Sequence, residues 1–151
     1  MNTAYLGLGS NVGDRAAHLQ FALEALRPVR VSGFYETAPL HYLAQGSFLN
    51  CVCEVETERS PWALLDEVRR LEHLRQRERP FPNAPRTLDI DILLYGNFVL
   101  RSPRLTIPHP RMGERAFVLA PLAELLPGYG RLLAGLGGQQ IWRLGAGGPG
   151  D

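Results

Sequence analysis

The chain has 151 residues, 45% of them hydrophobic, which suits one globular domain with its own core and calls for no second one. A net charge of +1 supplies no overall field to attract nucleic acid or an anionic membrane, so any anion binding has to come from a local cluster. All 16 basic residues are arginine, and the absence of lysine excludes a Walker-type phosphate loop.

No basic segment precedes an apolar signal core at the N-terminus, and no apolar run approaches transmembrane length. The expectation is a soluble, cytoplasmic protein with no nucleic-acid or membrane partner. Cys51 and Cys53 lie two apart in an apparent strand, with no spacing typical of a disulfide framework or metal finger. They read as small apolar core residues.

Thr3 to Leu8 reads as a strand, followed by a turn from Gly9 to Asp14. Asp14 is placed to cap a helix whose apolar positions Leu19, Ala22, Leu23 and Leu26 recur until Pro28. Gly7, Gly9 and Gly13 come close to a dinucleotide-binding fingerprint, but the chain is short for a doubly wound sheet, so they read as structural turn residues. Val29 to Tyr35 reads as a second strand, and Thr37 to Leu40 as the loop leaving it.

From Phe48 to Thr57 the alternation is regular. Leu49, Cys51, Cys53 and Val55 share one face; Phe48, Asn50, Val52, Glu54 and Glu56 share the other. A flat aromatic beside an amide suits a heterocycle that needs stacking and hydrogen bonds at its edge, although an exposed aromatic next to a turn amide is equally ordinary. Ser60-Pro61 then opens a second helix with Leu64, Leu65, Val68, Leu71 and Leu74 as its stripe. It frays into an arginine-rich stretch broken by Pro80, Pro82 and Pro85.

The most informative stretch is Pro85-Arg-Thr-Leu-Asp-Ile-Asp-Ile-Leu-Leu-Tyr95. In a strand Asp89 and Asp91 point the same way, and paired carboxylates of this kind can hold Mg²⁺, with Arg86 nearby suited to phosphate. A D-x-D pair alone also fits the solvated face of an edge strand. Gly96-Asn97 signals a hairpin between Ile92 to Tyr95 and Phe98 to Leu100. Thr106 to Pro110 reads as a rigid extended segment, and Pro121 to Leu126 as a short helix. Nine of the 16 glycines fall from Gly128 onward, which predicts a loose end with at most a short strand at Gln140 to Leu144 and a Gly-rich tail from about 145.

The run from Pro85 to Leu94 resembles the signature of the 6-hydroxymethyl-7,8-dihydropterin pyrophosphokinase family of folate biosynthesis. Blocks at Tyr5 to Asn11, Phe34 to Pro39, Phe48 to Asn50, Glu72 to Arg79 and Thr106 to Leu122 extend the resemblance, in the order the family has them. The order of elements suggests an α+β ferredoxin-like sandwich, an antiparallel sheet with helices packed on one face, and the family is known for that architecture.

The resemblance implies that residues 1–151 form a single pyrophosphokinase domain that transfers pyrophosphate from ATP to the hydroxymethyl dihydropterin and releases AMP. It implies that Asp89 and Asp91 hold two Mg²⁺ ions, with Asp89 also near the pterin, and that Arg77 and Arg86 are the catalytic loop arginines. Glu72, Ile92, Arg104, Thr106, His109 and Arg115 fall where the family contacts ATP. Phe48 and Phe117 fall where it sandwiches the pterin, with Asn50, Thr37 and Leu40 reading the ring's edge. The chain departs from the family at Asn83, where a tryptophan is common, and at Pro110, where a tyrosine follows the histidine. A ferredoxin-like RNA-binding module and a small-ligand regulatory domain are the rival readings; the first lacks a basic face, and the second needs no carboxylate pair.

Overall fold

A computed structural model describes residues 1–37, 47–76 and 87–144. In chain order the elements are β1 (Asn2–Ser10), α1 (Arg15–Leu26), β2 (Arg30–Val31), β3 (Tyr35–Thr37), β4 (Phe48–Thr57), α2 (Pro61–Gln76), β5 (Asp89–Tyr95), β6 (Leu100–Arg101), β7 (Thr106–Ile107), α3 (Ala116–Leu125), α4 (Gly130–Ala134) and β8 (Ile141–Arg143). The main sheet runs in the order β5-β1-β4-β3-β8, with β2 also paired to β4, and its pairings are antiparallel. Among the described residues no helix is long and apolar enough to cross a membrane.

Strand alternation divides the sheet into two faces. Ala4, Leu6 and Leu8 of β1, Leu49, Cys51, Cys53 and Val55 of β4, and Ile90 and Ile92 of β5 meet Leu19, Ala22 and Leu23 of α1 and Leu64, Leu65, Val68 and Leu71 of α2. Fully burying each leucine or isoleucine there contributes about 2 kcal/mol, so this face carries most of the stability. Both cysteines are free and buried, as expected, and burial pushes the Cys53 thiol up to about 12. The caps also follow the sequence: Asp14 accepts the Ala17 amide at 3.1 Å and Ser60 accepts that of Ala63 at 3.1 Å.

The opposite face is covered only in part. Val118, Leu122 and Leu125 of α3 pack with Met112 on Val52 and Leu93, so helices lie on both faces of the sheet and not on one. The α+β antiparallel framework stands as expected. The misplaced part is α3, whose apolar face shows that it is buried but not which side of the sheet buries it.

A bulge lies in β5, where the register to β1 shifts between Tyr5↔Leu94 and Leu6↔Ile92, leaving Leu93 unpaired in the count. Strict alternation would put Tyr95 on the face of Asp89 and Asp91. The bulge turns it into the main core instead, where it is 1% exposed, while Leu93 stays on the face of the two carboxylates and packs with α3.

Four local expectations are corrected. β1 continues through Gly9 to Ser10, so Gly7 and Gly9 are strand residues; only Gly13, at φ 72°, needs the conformational freedom of a turn glycine. The second strand is broken into β2 and β3 because Ser32 pairs with Val52 through both its backbone N–H and its side-chain oxygen, each at 2.9 Å, and Thr37 ends β3 instead of opening a loop. Gly96-Asn97 forms a turn, but no hairpin follows: β6 pairs with β7 in a separate two-stranded sheet. Residues 128–144 are built, not loose: the short strand expected at Gln140 to Leu144 forms as β8 and pairs with β3, and the Leu144 amide donates to the Phe34 carbonyl at 2.8 Å. The tail expected from about 145 lies outside the described residues.

Candidate active site

Between the sheet and the N-terminal end of α3 lies a cavity of about 530 Å³. Its floor is β1, where Gly9 stands opposite Asn50 on one side and Asp89 on the other, and Gly7 stands opposite Val52 and Asp91. Bare backbone at these two positions leaves room above the sheet for the side chains of both neighbouring strands. A Cβ on Gly9 would come within 2.7 Å of the Asn50 side-chain oxygen.

Seven of the residues singled out in the sequence line this one cavity: Thr37, Phe48, Asn50, Asp89, Asp91, Arg115 and Phe117. Asn50 is 5% exposed, and its amide donates to the Thr37 hydroxyl at 3.4 Å, which orients it at the edge of the chamber. Arg115 lies over the Phe117 ring at 5.6 Å, so a cation and an aromatic surface are presented side by side. Asp89 and Asp91 share the cavity face, as strand alternation requires. Hard oxygen donors of this kind fit Mg²⁺. Among the described residues no group of three or more metal-ligating side chains forms, and Mg²⁺ is commonly held by one or two carboxylates plus substrate phosphates.

Other singled-out residues stand around the cavity, not in its lining. His109 is anchored by its backbone N–H to the Leu93 carbonyl at 2.9 Å, and its Nδ1 accepts the Arg111 amide at 3.2 Å. Burial lowers its pKa from the ordinary histidine range, and Arg115 and Arg111 lower it further against the opposing pull of Asp91. Glu72 is 4% exposed under β5, with one carboxylate oxygen accepting the Ile90 amide at 2.7 Å and the other accepting from Arg69 at 2.8 Å. Burial raises its pKa above the usual carboxylate value, with the neighbouring Asp89 charge adding to the effect.

Ile92 is in the main core, 3% exposed. Arg104 lies over Trp62 at 5.7 Å and 3.6 Å from Asp66, and Thr106 donates to the Ser102 carbonyl at 3.3 Å. Arg77, Arg86 and Leu40 lie outside the described residues.

The sequence reading missed the lining residues Leu93, Arg111, Glu114, Gln139 and Gln140, and it took two others, Gly7 and Gly9, for turn residues. Arg111 carried a usable signal, being a second arginine close to His109. The two glutamines carried none, because they follow a glycine-rich stretch that reads as loose.

The family model described as 7,8-dihydro-6-hydroxymethylpterin-pyrophosphokinase matches residues 5–127. The 2-amino-4-hydroxy-6-hydroxymethyldihydropteridine pyrophosphokinase of Bacillus subtilis is 43% identical over 130 residues, covering 82% of this chain and 78% of its own. That of Haemophilus influenzae is 44% identical over 131 residues, with 83% and 82% covered. A crystal structure of wild-type Plasmodium falciparum HPPK-DHPS superposes with a TM-score of 0.69 at 16% identity, over 89% of this chain and 41% of that longer one, which bears on the fold alone. A match along most of the sequence, two relatives above 40% identity and a shared sheet carry one conclusion: the chain belongs to the 7,8-dihydro-6-hydroxymethylpterin-pyrophosphokinase family.

Proposed function

We propose that this protein transfers pyrophosphate from ATP to 6-hydroxymethyl-7,8-dihydropterin in folate biosynthesis, giving AMP and the dihydropterin diphosphate. One observation carries the reading beyond family membership. A single chamber gathers an aromatic and amide pair suited to a flat heterocycle, Phe117 with Asn50, beside two carboxylates and Arg115 suited to a metal-bound polyphosphate.

In this reading Phe48 and Phe117 sandwich the pterin ring, while Asn50, Thr37 and Leu40 read its edge. Arg115 and His109 bind phosphate oxygens, His109 through its imidazole as a hydrogen-bonding group. Arg104 and Thr106 complete the ATP side, which Glu72 and Ile92 support from beneath β5 and not by side-chain contact, and Arg77 and Arg86 stabilise charge as it develops on the phosphates. Asp89 and Asp91 would hold two Mg²⁺ ions, which would supply charge to neutralise the triphosphate.

The hydroxymethyl oxygen then bonds to the β-phosphorus as its proton passes to solvent, and the bond from that phosphorus to the α,β-bridging oxygen breaks. AMP departs with the bridging oxygen. In this reading residues 1–151 act as a single domain, as a monomer and in the cytoplasm.

The test follows β-labelled ATP. The label should pass to the pterin product with an equimolar rise in AMP. ADP that retains the label would mean attack at the γ-phosphorus, and the assignment would fall.

A further inference from the structure

The segment ahead of β8 grips the chain on both sides of Arg115. The Gln139 side-chain oxygen accepts the Ala116 amide at 2.8 Å, and its nitrogen donates to the Glu114 carbonyl at 2.8 Å. Arg115 itself is the extended residue that caps α3, at φ −122° and ψ 108°, and its side chain makes no capping hydrogen bond. Amides in the first turn of a helix have no partner within the helix, so Ala116 would otherwise need water or a ligand. Here the partner comes from far along the chain. A primary amide is the side chain that offers an acceptor and a donor side by side, which is what the two peptide units flanking one residue present.

The other end of this segment is also fixed. Ile141 pairs with Thr37 across β8 and β3, and Gln139, Gln140 and Ile141 all line the cavity. The segment therefore spans from the Thr37 wall to the Arg115–Phe117 wall. The spacing between those walls is set by a strut whose far end is one glutamine side chain.

We propose that Gln139 is a positioning residue for Arg115: by bracketing the peptide units on either side, it sets the direction in which the guanidinium enters the cavity. This rests on the reading of Arg115 as a phosphate contact. The role is distinct from general stability, because what it governs is the affinity contributed by one other residue.

A double-mutant cycle tests it. Binding of a non-hydrolysable ATP analogue with Mg²⁺ is measured by calorimetry for wild type, Gln139→Ala, Arg115→Ala and the double variant, with melting temperatures alongside. Gln139→Ala should weaken binding about tenfold, the order expected for losing charge-assisted contacts to a mispositioned arginine. In the Arg115→Ala background the same change should leave affinity within about twofold.

Gln139→Glu, which keeps the acceptor but sets a carboxylate against the Glu114 carbonyl, should lie at the alanine level and serves if the alanine variant fails to fold. A melting shift with unchanged affinity, or an equal loss in both backgrounds, overturns the proposal and leaves the pyrophosphokinase reading standing. Wild-type protein that neither binds the analogue nor releases AMP overturns both.

Discussion

The Glu72 carboxylate accepts the backbone amide of Ile90 at 2.7 Å, and Ile90 is the residue between Asp89 and Asp91. A buried group on α2 thus fixes the strand at the midpoint of the carboxylate pair. Glu72→Gln retains an acceptor for that amide and should keep turnover within about threefold, whereas Glu72→Ala leaves a buried N–H unpaired and should cost about tenfold or more. The informative readout is the Mg²⁺ dependence of the rate, which should move to higher concentration in the alanine variant. An unmoved Mg²⁺ curve with a raised KM for ATP would show that the carboxylate serves the nucleotide directly.

Asp89→Asn and Asp91→Asn should each lower turnover by at least about a hundredfold, equivalent to roughly 3 kcal/mol of lost charge stabilisation. Melting temperatures should hardly change, since both side chains face the cavity and not the core. Either variant running near the wild-type rate at low Mg²⁺ would contradict the metal role.

Gly9→Ala tests the bare floor of the site. The new methyl meets the Asn50 oxygen at 2.7 Å, and Asn50 is too buried to swing away freely. The KM for the pterin should rise about tenfold, the scale of one misplaced hydrogen-bonding group. Asn50→Ala should have a similar effect, and combining the two should add little, because both act on one contact.

Stability should fall in acid. The Ser47 hydroxyl, then Arg15, holds the Glu36 carboxyl below its usual value of 4.5, and Arg30, then Tyr5, does the same for Glu54. Below 4.5 the unfolded chain takes up protons that the folded protein still refuses, so this stabilisation is complete above that pH and is lost as pH drops through the lowered folded values. Urea midpoints between pH 7 and pH 3 should follow that course, and Glu54→Gln should flatten it.

What could be read in advance depended on periodicity. The two faces of β4 and the shared face of Asp89 and Asp91 followed from a period of two, and the caps at Asp14 and Ser60 from local chemistry. The bulge at Leu93 could not be seen, because no turn residue or glycine marks it; it comes from how β5 meets β1. Gly7 and Gly9 were visible but misread, since a glycine needed for clearance looks the same in sequence as one needed for a turn. The Gln139 bracket depends on two segments brought together by β8, and no local pattern reports it.

β5 is an outer strand, and outer strands invite pairing with a strand from another molecule. Here two groups on the outer side are already taken, since Glu72 occupies the Ile90 amide and the His109 amide occupies the Leu93 carbonyl, and a bulge interrupts the strand between them. The groups that arrange this strand for chemistry therefore also guard it against edge-to-edge self-association.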